Sequence, residues 1–494
     1  MPGAPETHVQ IRGTLGRMLL TVRRGSHSVL EFRENVRGVF HSVPNGCRRF
    51  PTLARFGTIS SGCRIMRNRL AARRIVFTTT LLLVSSCGGA TSQSDSAQEP
   101  FSDSTASEQQ SSSGGSDSSA NSGFGELPDC PNGDVLLSHF PLADGDHGFI
   151  TPLGNLGPPA HVFPTMHVYV TVNGTAYQSN GDVVLGNSKP LIAPADMTVV
   201  EINTLETITP GGAWMEYDFT FGICRDVIGR FGHVGSLTGT LLDAVSAAAS
   251  NDCYESTTGG FADRRYKTCS YKNLDIQVRA GEVIGSVGDR NGNLDVRLND
   301  YRKPALQFAN QQRWSPLEQH TACFLDYYPA DMKARYYEIL GSQYQNQTFQ
   351  RTQEPRCGEV AVDVVGTAKG AWFFQLSGPK QHDDPHLALV NDAVDPSIQM
   401  ISMGVSAMAI GVPPGRHFFT PAEEGLVNRE FSQVKPDQNV YCYDTNAAQG
   451  QNFTTPEKVL ILLQMPDANT IRVGKGNGTC SNPQVMGEYV EFDR

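Results

Sequence analysis

The sequence predicts a mainly β protein with two successive antiparallel β regions. Three observations carry that reading. TMHVYVTV at 165–172 alternates polar and apolar positions and is rich in β-branched and aromatic residues, as a half-buried strand requires. HLALV and VLILLQM, near 386–390 and 459–465, are continuous apolar runs of strand length, suited to strands covered on both faces or closed into a barrel. Helical periodicity is confined to two short segments, 241–249 and 329–342.

Charge is unevenly spread along the 494 residues. Residues 1–86 contain fourteen Arg, no Lys and three Glu, a net of +11, which leaves −21 for residues 87–494. An acidic body of this kind excludes nucleic acid as a partner, since phosphate neutralisation supplies most of that affinity. The basic end has its own logic. MRNRLAARR at 66–74 precedes the short apolar run IVFTTTLLLV, and Ser85-Ser86-Cys87 follows. A positive flank, an apolar core too short to span a bilayer and a small-residue cleavage site make a secretory signal. The order LVSSC further resembles a bacterial lipobox, which makes Cys87 the lipidated first residue of the mature chain. Residues 66–87 are then the signal peptide, and residues 1–65 stand outside the mature protein, with Met66 as the start. Residues 88–123, dominated by Ser, Gly, Gln and Asp, bury too little to offset their ordering entropy. They read as a tether with a coil span of about 30–36 Å.

Eight cysteines follow: Cys130, Cys224, Cys253, Cys269, Cys323, Cys357, Cys442 and Cys480. An even number behind an export signal predicts disulfides. Spacing favours Cys253 with Cys269 and Cys442 with Cys480; the others stay open. No C-x-x-C occurs, which argues against a zinc ribbon or a thioredoxin-type site.

Further strands are expected at 182–185, 191–193, 199–202, 217–221 and 276–278. The helix at 329–342 has Pro and Asp in its first turn and Gly341 near its end, and serves as a connector over 326–356. From Cys357 onward EVAVDVVG, AWFFQL, HLALVND, VLILLQM and TIRVG read as strands of a second β domain, 357–494, of barrel or sandwich form.

The region 124–325 carries three ordered blocks. LIAPADMTVVEI begins at Leu191, RFGHVGSL at Arg230, and VRAGEVIGSVGDRNGNLDVRL at Val278. Their order, "apad-G-x-V", "G-H-L", then "k-a-G-x-x-I-G-x-v-G" before "H-L-H", resembles the duplicated hybrid motif of lysostaphin-like zinc endopeptidases. The likeness covers about a quarter of the chain, and the glycine-spaced third block is its most specific part.

The resemblance implies a β-sheet, barrel-like domain with zinc held by the His and Asp of H-x-x-x-D and by the second His of H-x-H. The first His of H-x-H and the His of "G-H-L" assist a metal-bound water. An open three-ligand site of this kind lowers the pKa of that water and polarises the scissile carbonyl. Carried over by residue, His167 takes the first ligand position, but Thr171 stands where Asp is needed. His233 matches the assisting His. Asn293 and Asp295 replace the two His of H-x-H; Asp295 can bind a metal through oxygen, whereas Asn293 cannot move protons. The metal candidates are thus His167 and Asp295, and the catalytic candidates His233 and Asn293. With one His and one Asp, no cofactor is expected, zinc being the one metal the pattern would admit. The competing reading is local: His167 as a half-buried strand histidine and Asp295 as a solvated strand residue. His161, in the loop after Pro158-Pro159, would be a structural or exposed residue unless it supplies a missing ligand. His382, Asp383, Asp384 and His386 are metal-competent types, but around Pro385 they read as a turn before HLALV.

These readings converge on an exported, lipid-anchored bacterial envelope protein, facing periplasm or cell wall, whose degenerate peptidase-like domain binds or scaffolds. Its expected partners are the membrane through the lipid, and peptidoglycan or a cell-wall enzyme through the cleft. Degenerate members of the superfamily act as activators of wall amidases, which the resemblance extends to this chain as an expectation. The alternative is a divergent zinc endopeptidase acting on cell-wall peptides, with a third ligand beside His167 and Asp295.

Overall fold

The computed structural model describes residues 6–13, 16–23, 33–34 and 127–494, the last stretch with gaps of which the longest are 257–264, 375–382 and 446–457. The expected signal segment 66–87 with Cys87, the expected tether 88–123 and His382 lie outside the described residues. The chain divides into two units, residues 1–86 and 87–494. The first contains a three-stranded antiparallel sheet of Glu6–Gly13, Gly16–Arg23 and Arg33–Glu34. No described helix is long and apolar enough to cross a membrane.

The second unit is mainly β, as expected, and layered; no described sheet closes into a barrel. Its largest sheet runs in the order Asp252–Ser256, Arg265–Tyr271, Met197–Thr209, Gly212–Cys224, Val227–Leu237, Asn293–Asp300, Val168–Val172 and His147–Thr151, each antiparallel to the next. Alternation decides which face is core. Val168, Val170 and Val172, with Leu294, Val296 and Leu298, point into one apolar cluster, while His167, Thr171, Asn293 and Asp295 occupy the alternate positions.

Two smaller four-stranded antiparallel sheets complete the unit. Gly370–Trp372, Leu387–Asn391, Gln399–Met403 and Gly415–Phe419 form one, and Tyr441–Asp444, Leu460–Asp467, Thr470–Lys475 and Tyr489–Asp493 the other. They stack as a sandwich around Leu387, Leu389, Ile401, Phe419, Tyr443, Ile461, Leu463 and Phe492. The opposite face of the first sheet is also dry: Ala388, Val390, Met400 and Phe418 join the core of the large sheet. That accounts for the unbroken apolar run HLALV. The region from 357 onward is therefore packed into the same body as the first.

Several boundaries differ from expectation. EVAVDVVG forms no strand, because the Asp363 carboxylate accepts hydrogen bonds from the Ala309 and Ala371 amides and folds the segment into turns. The connector helix spans only Ala330–Tyr337; Gly341–Tyr344 turns instead into a hairpin with Gln347–Gln350. The helix expected at 241–249 spans Gly239–Ala247, and a short one, Pro316–Gln319, was not expected. The strand expected at 199–202 extends over Met197–Thr209, paired along its length with Gly212–Cys224.

All eight cysteines from Cys130 to Cys480 are bridged. Cys253–Cys269 and Cys442–Cys480 form as expected, and the open pairings resolve to Cys130–Cys224 and Cys323–Cys357.

Candidate functional site

The polar face of the large sheet carries the site. Val227–Leu237 changes partner midway: Val227 to Gly232 pair with Asn293–Asp300, and Val234 to Leu237 pair with Val283–Val287. His233 sits at the changeover with φ 59°, in the left-handed region that a non-glycine residue enters at a cost of order 1–3 kcal/mol. A bulge of this kind re-aims a side chain. Here it turns the imidazole towards the neighbouring strands.

What results is a chain of alternating carboxylates and imidazoles. Glu216, buried, places Oε1 3.3 Å from His233 Nδ1. His233 Nε2 lies 3.5 Å from Asp295 Oδ2, and His167 Nε2 lies 3.4 Å from the same oxygen. His161 closes the row, its ring edge-on to His167 at 5.6 Å between centroids. Behind His233, Asp218 works twice: Oδ1 accepts the His233 backbone amide at 3.3 Å, and Oδ2 accepts from Arg230 Nη2 at 2.6 Å. Arg297, cross-strand to Arg230, is buried against Met166, with Nη1 3.5 Å from Sδ.

Burial alone would push the His233 imidazole below its ordinary pKa. The carboxylates of Asp295, Glu216 and Asp218 outweigh it and raise the value to about 9. The carboxylates favour the imidazolium form of His233, which can donate from both nitrogens towards Glu216 and Asp295.

The cavity these groups enclose is small, about 30 Å³, and is lined by His161, His167, Asp218, Arg230, Gly232, His233, Asp295 and Arg297. It admits about two waters or the head of one small polar group. His167, His233 and Asp295 thus line one cavity. Asn293 sits one pair further along the same face, opposite Thr171. His161, expected as a structural or exposed loop residue, lines the cavity. Glu216, Asp218, Arg230 and Arg297 escaped the sequence reading. Alternation marks Arg297 as sharing a face with Asp295, but nothing local says which strands lie beside it.

The residues do not fit the zinc site that the resemblance implies. A catalytic zinc takes three protein ligands. Of the three positions, one holds His167, one holds Asp295, and the third holds Thr171, whose neutral hydroxyl is a poor donor to zinc. Among the described residues no group of three His, Cys, Asp or Glu is arranged to hold a metal ion. Asp295 instead lies within ion-pair distance of two imidazoles. The second cluster is structural as well. His386 is fully buried, its Nδ1 accepts the Phe374 amide at 3.0 Å and its ring stacks on Phe163, while the Asp383 carboxylate accepts the Phe163 amide at 3.4 Å.

No family model, no characterised protein and no solved structure matches the chain.

Proposed function

We propose that this is an exported, lipid-anchored envelope protein in which a degenerate lysostaphin-like cleft binds peptidoglycan without cutting it. One observation carries the reading. The Asp295 carboxylate lies 3.4 and 3.5 Å from the imidazoles of His167 and His233, so charge that an endopeptidase would turn on a metal and its water is spent within the protein. Thr171 and Asn293 remove the remaining ligand and the proton carrier that the resemblance calls for. What remains is a row of imidazole, carboxylate and guanidinium groups facing a small cavity, suited to hydrogen-bonding the peptide amides and carboxylates of a wall stem peptide.

Four disulfides accord with an oxidising compartment outside the cytoplasm. The signal pattern before Cys87 and the Ser/Gly-rich stretch behind it support a body tethered within reach of a cell wall.

The test is cosedimentation of the purified protein with insoluble peptidoglycan, followed by assay of the supernatant. The expected result is binding weakened by His167→Ala or Asp295→Ala, with no soluble peptide released. Chelator-sensitive release of peptides would replace this reading with the divergent zinc endopeptidase. Failure to sediment, with retention of a wall amidase instead, would move the partner from polymer to enzyme.

A further inference from the structure

Among the described residues, none of 357–494 lines the cavity, yet this region holds the segment that delivers one. Between the strands His147–Thr151 and Val168–Val172, residues 153–166 follow no sheet edge; their bridges are isolated ones, Gly157 with His161 and Leu153 with Gly358. His161 lies in this segment, outside the paired strands, whereas the adjoining His167 leads directly into Val168–Val172.

The later region grips the segment on both sides of His161. On the near side the Leu153 amide donates to the Cys357 carbonyl at 2.9 Å, and Arg416 Nη1 donates to the Leu156 carbonyl at 3.3 Å. Gly154 and Gly358 let the two backbones meet: both have positive φ, and a Cβ on Gly154 would fall 2.2 Å from the Glu359 carbonyl oxygen. On the far side the Phe163 amide donates to Asp383, and the Phe163 ring stacks on His386 at 5.1 Å and 13° and meets Phe373 at 5.0 Å.

We propose that His161 contacts the ligand and that Arg416 and Asp383 are positioning residues, making residues 357–494 a clamp that sets one wall of the cleft. This rests on the reading that the cleft binds peptidoglycan. It gives the later region a role in recognition that its distance from the cavity conceals. Recognition by His161 then depends on a chain order in which the wall and its support are more than two hundred residues apart, as the Phe163–Asp383 and Leu156–Arg416 bonds are (separations 220 and 260).

Two measurements on the full chain test it, comparing Arg416→Ala with Asp383→Asn, Arg416→Lys and His161→Ala. The first is amide hydrogen exchange over 153–166. Exchange should quicken by about tenfold in the double variant, the loss of about one net hydrogen bond from local opening, with Val168–Val172 unchanged. The second is cosedimentation with insoluble peptidoglycan. The double variant and His161→Ala should bind about fivefold more weakly, and Arg416→Lys, which keeps a donor, should recover most of the affinity. Unchanged exchange over 153–166 would overturn the clamp. Faster exchange with unaltered affinity would overturn the positioning role, and unaltered affinity in His161→Ala the contact. If the parent protein fails to sediment, the binding reading falls and the proposed contact with it, while exchange still decides whether the clamp exists.

Discussion

Thr171 and Asn293 are cross-strand partners, directly opposed in the antiparallel pairing of Val168–Val172 with Asn293–Asp300. These are the two positions at which the sequence departs most sharply from the pattern it resembles. They belong to one spot on one sheet face, next to the Tyr169–Asp295 pair. The Thr171 hydroxyl is buried and makes no hydrogen bond among the described residues, so it is not tied to Asn293. On that resemblance, the missing ligand and the missing proton carrier fall at a single spot.

That adjacency predicts the outcome of restoring the site. Thr171→Asp with Asn293→His and Asp295→His places an acid and two imidazoles around His167. Zinc affinity, measured by calorimetry against the unaltered protein, should rise by about 100-fold or more. A variant that folds and gains nothing would show that His167 and Asp295 do not occupy ligand positions.

Removing disulfides should separate by loop length. Cys130–Cys224 closes a separation of 94 residues and Cys253–Cys269 one of 16. On the chain-entropy estimate, Cys130→Ala with Cys224→Ala loses about 4–5 kcal/mol and the shorter pair about 3 kcal/mol. Urea unfolding of the two double variants checks the order, and the shorter pair proving the more costly would contradict it.

Acid sensitivity should trace in part to His417. Its side chain is fully buried, with Nε2 2.8 Å from the Pro413 carbonyl oxygen. Burial holds its pKa below 6.5, although the carbonyl favours the charged form. The unfolded imidazole takes up a proton that the folded one refuses. Its contribution is therefore complete above pH 6.5 and shrinks as the pH falls below that value, by at most about 1.4 kcal/mol per pH unit. His417→Gln keeps a donor and cannot titrate, so the slope of stability against pH below 6.5 should flatten in that variant. An unchanged slope would assign the acid lability elsewhere.

Cys87 makes the anchoring prediction. Cells expressing the chain from Met66 should incorporate labelled palmitate into it, and Cys87→Ala should not be labelled. Label persisting in that variant would remove the lipid anchor from the reading.

How much of this was legible before the fold? Alternation in TMHVYVTV put His167 and Thr171 on one face, and the same rule put Asn293, Asp295 and Arg297 on one face. Neither pattern says that the two strands are neighbours, because pairing across some 120 residues leaves no local trace. His233 was found through its motif, whereas its left-handed backbone arises from the change of partner around it and could not be read from Gly-His-Val. Nothing in the sequence singled out Glu216 or Asp218. They became site residues only because Gly212–Cys224 lies against Val227–Leu237. EVAVDVVG misled for the opposite reason: a side-chain acceptor at Asp363 overrode an apolar pattern that its length alone favoured.

The sheet that runs from Gly370 to Phe419 has consequences for how this chain can be cut and recombined. Leu387 and Leu389 serve one core while Ala388 and Val390 serve the other. A cassette encoding residues 357–494 alone would present Ala388, Val390, Met400 and Phe418 to water as a flat, sticky wall, and would leave Cys357 without Cys323. Neither half is a portable building block. Fusions, permutations and truncations that part the chain near residue 357 should yield aggregates, whereas changes that keep the Phe373–Asp493 bridge and Arg494 over Trp372 leave both cores closed.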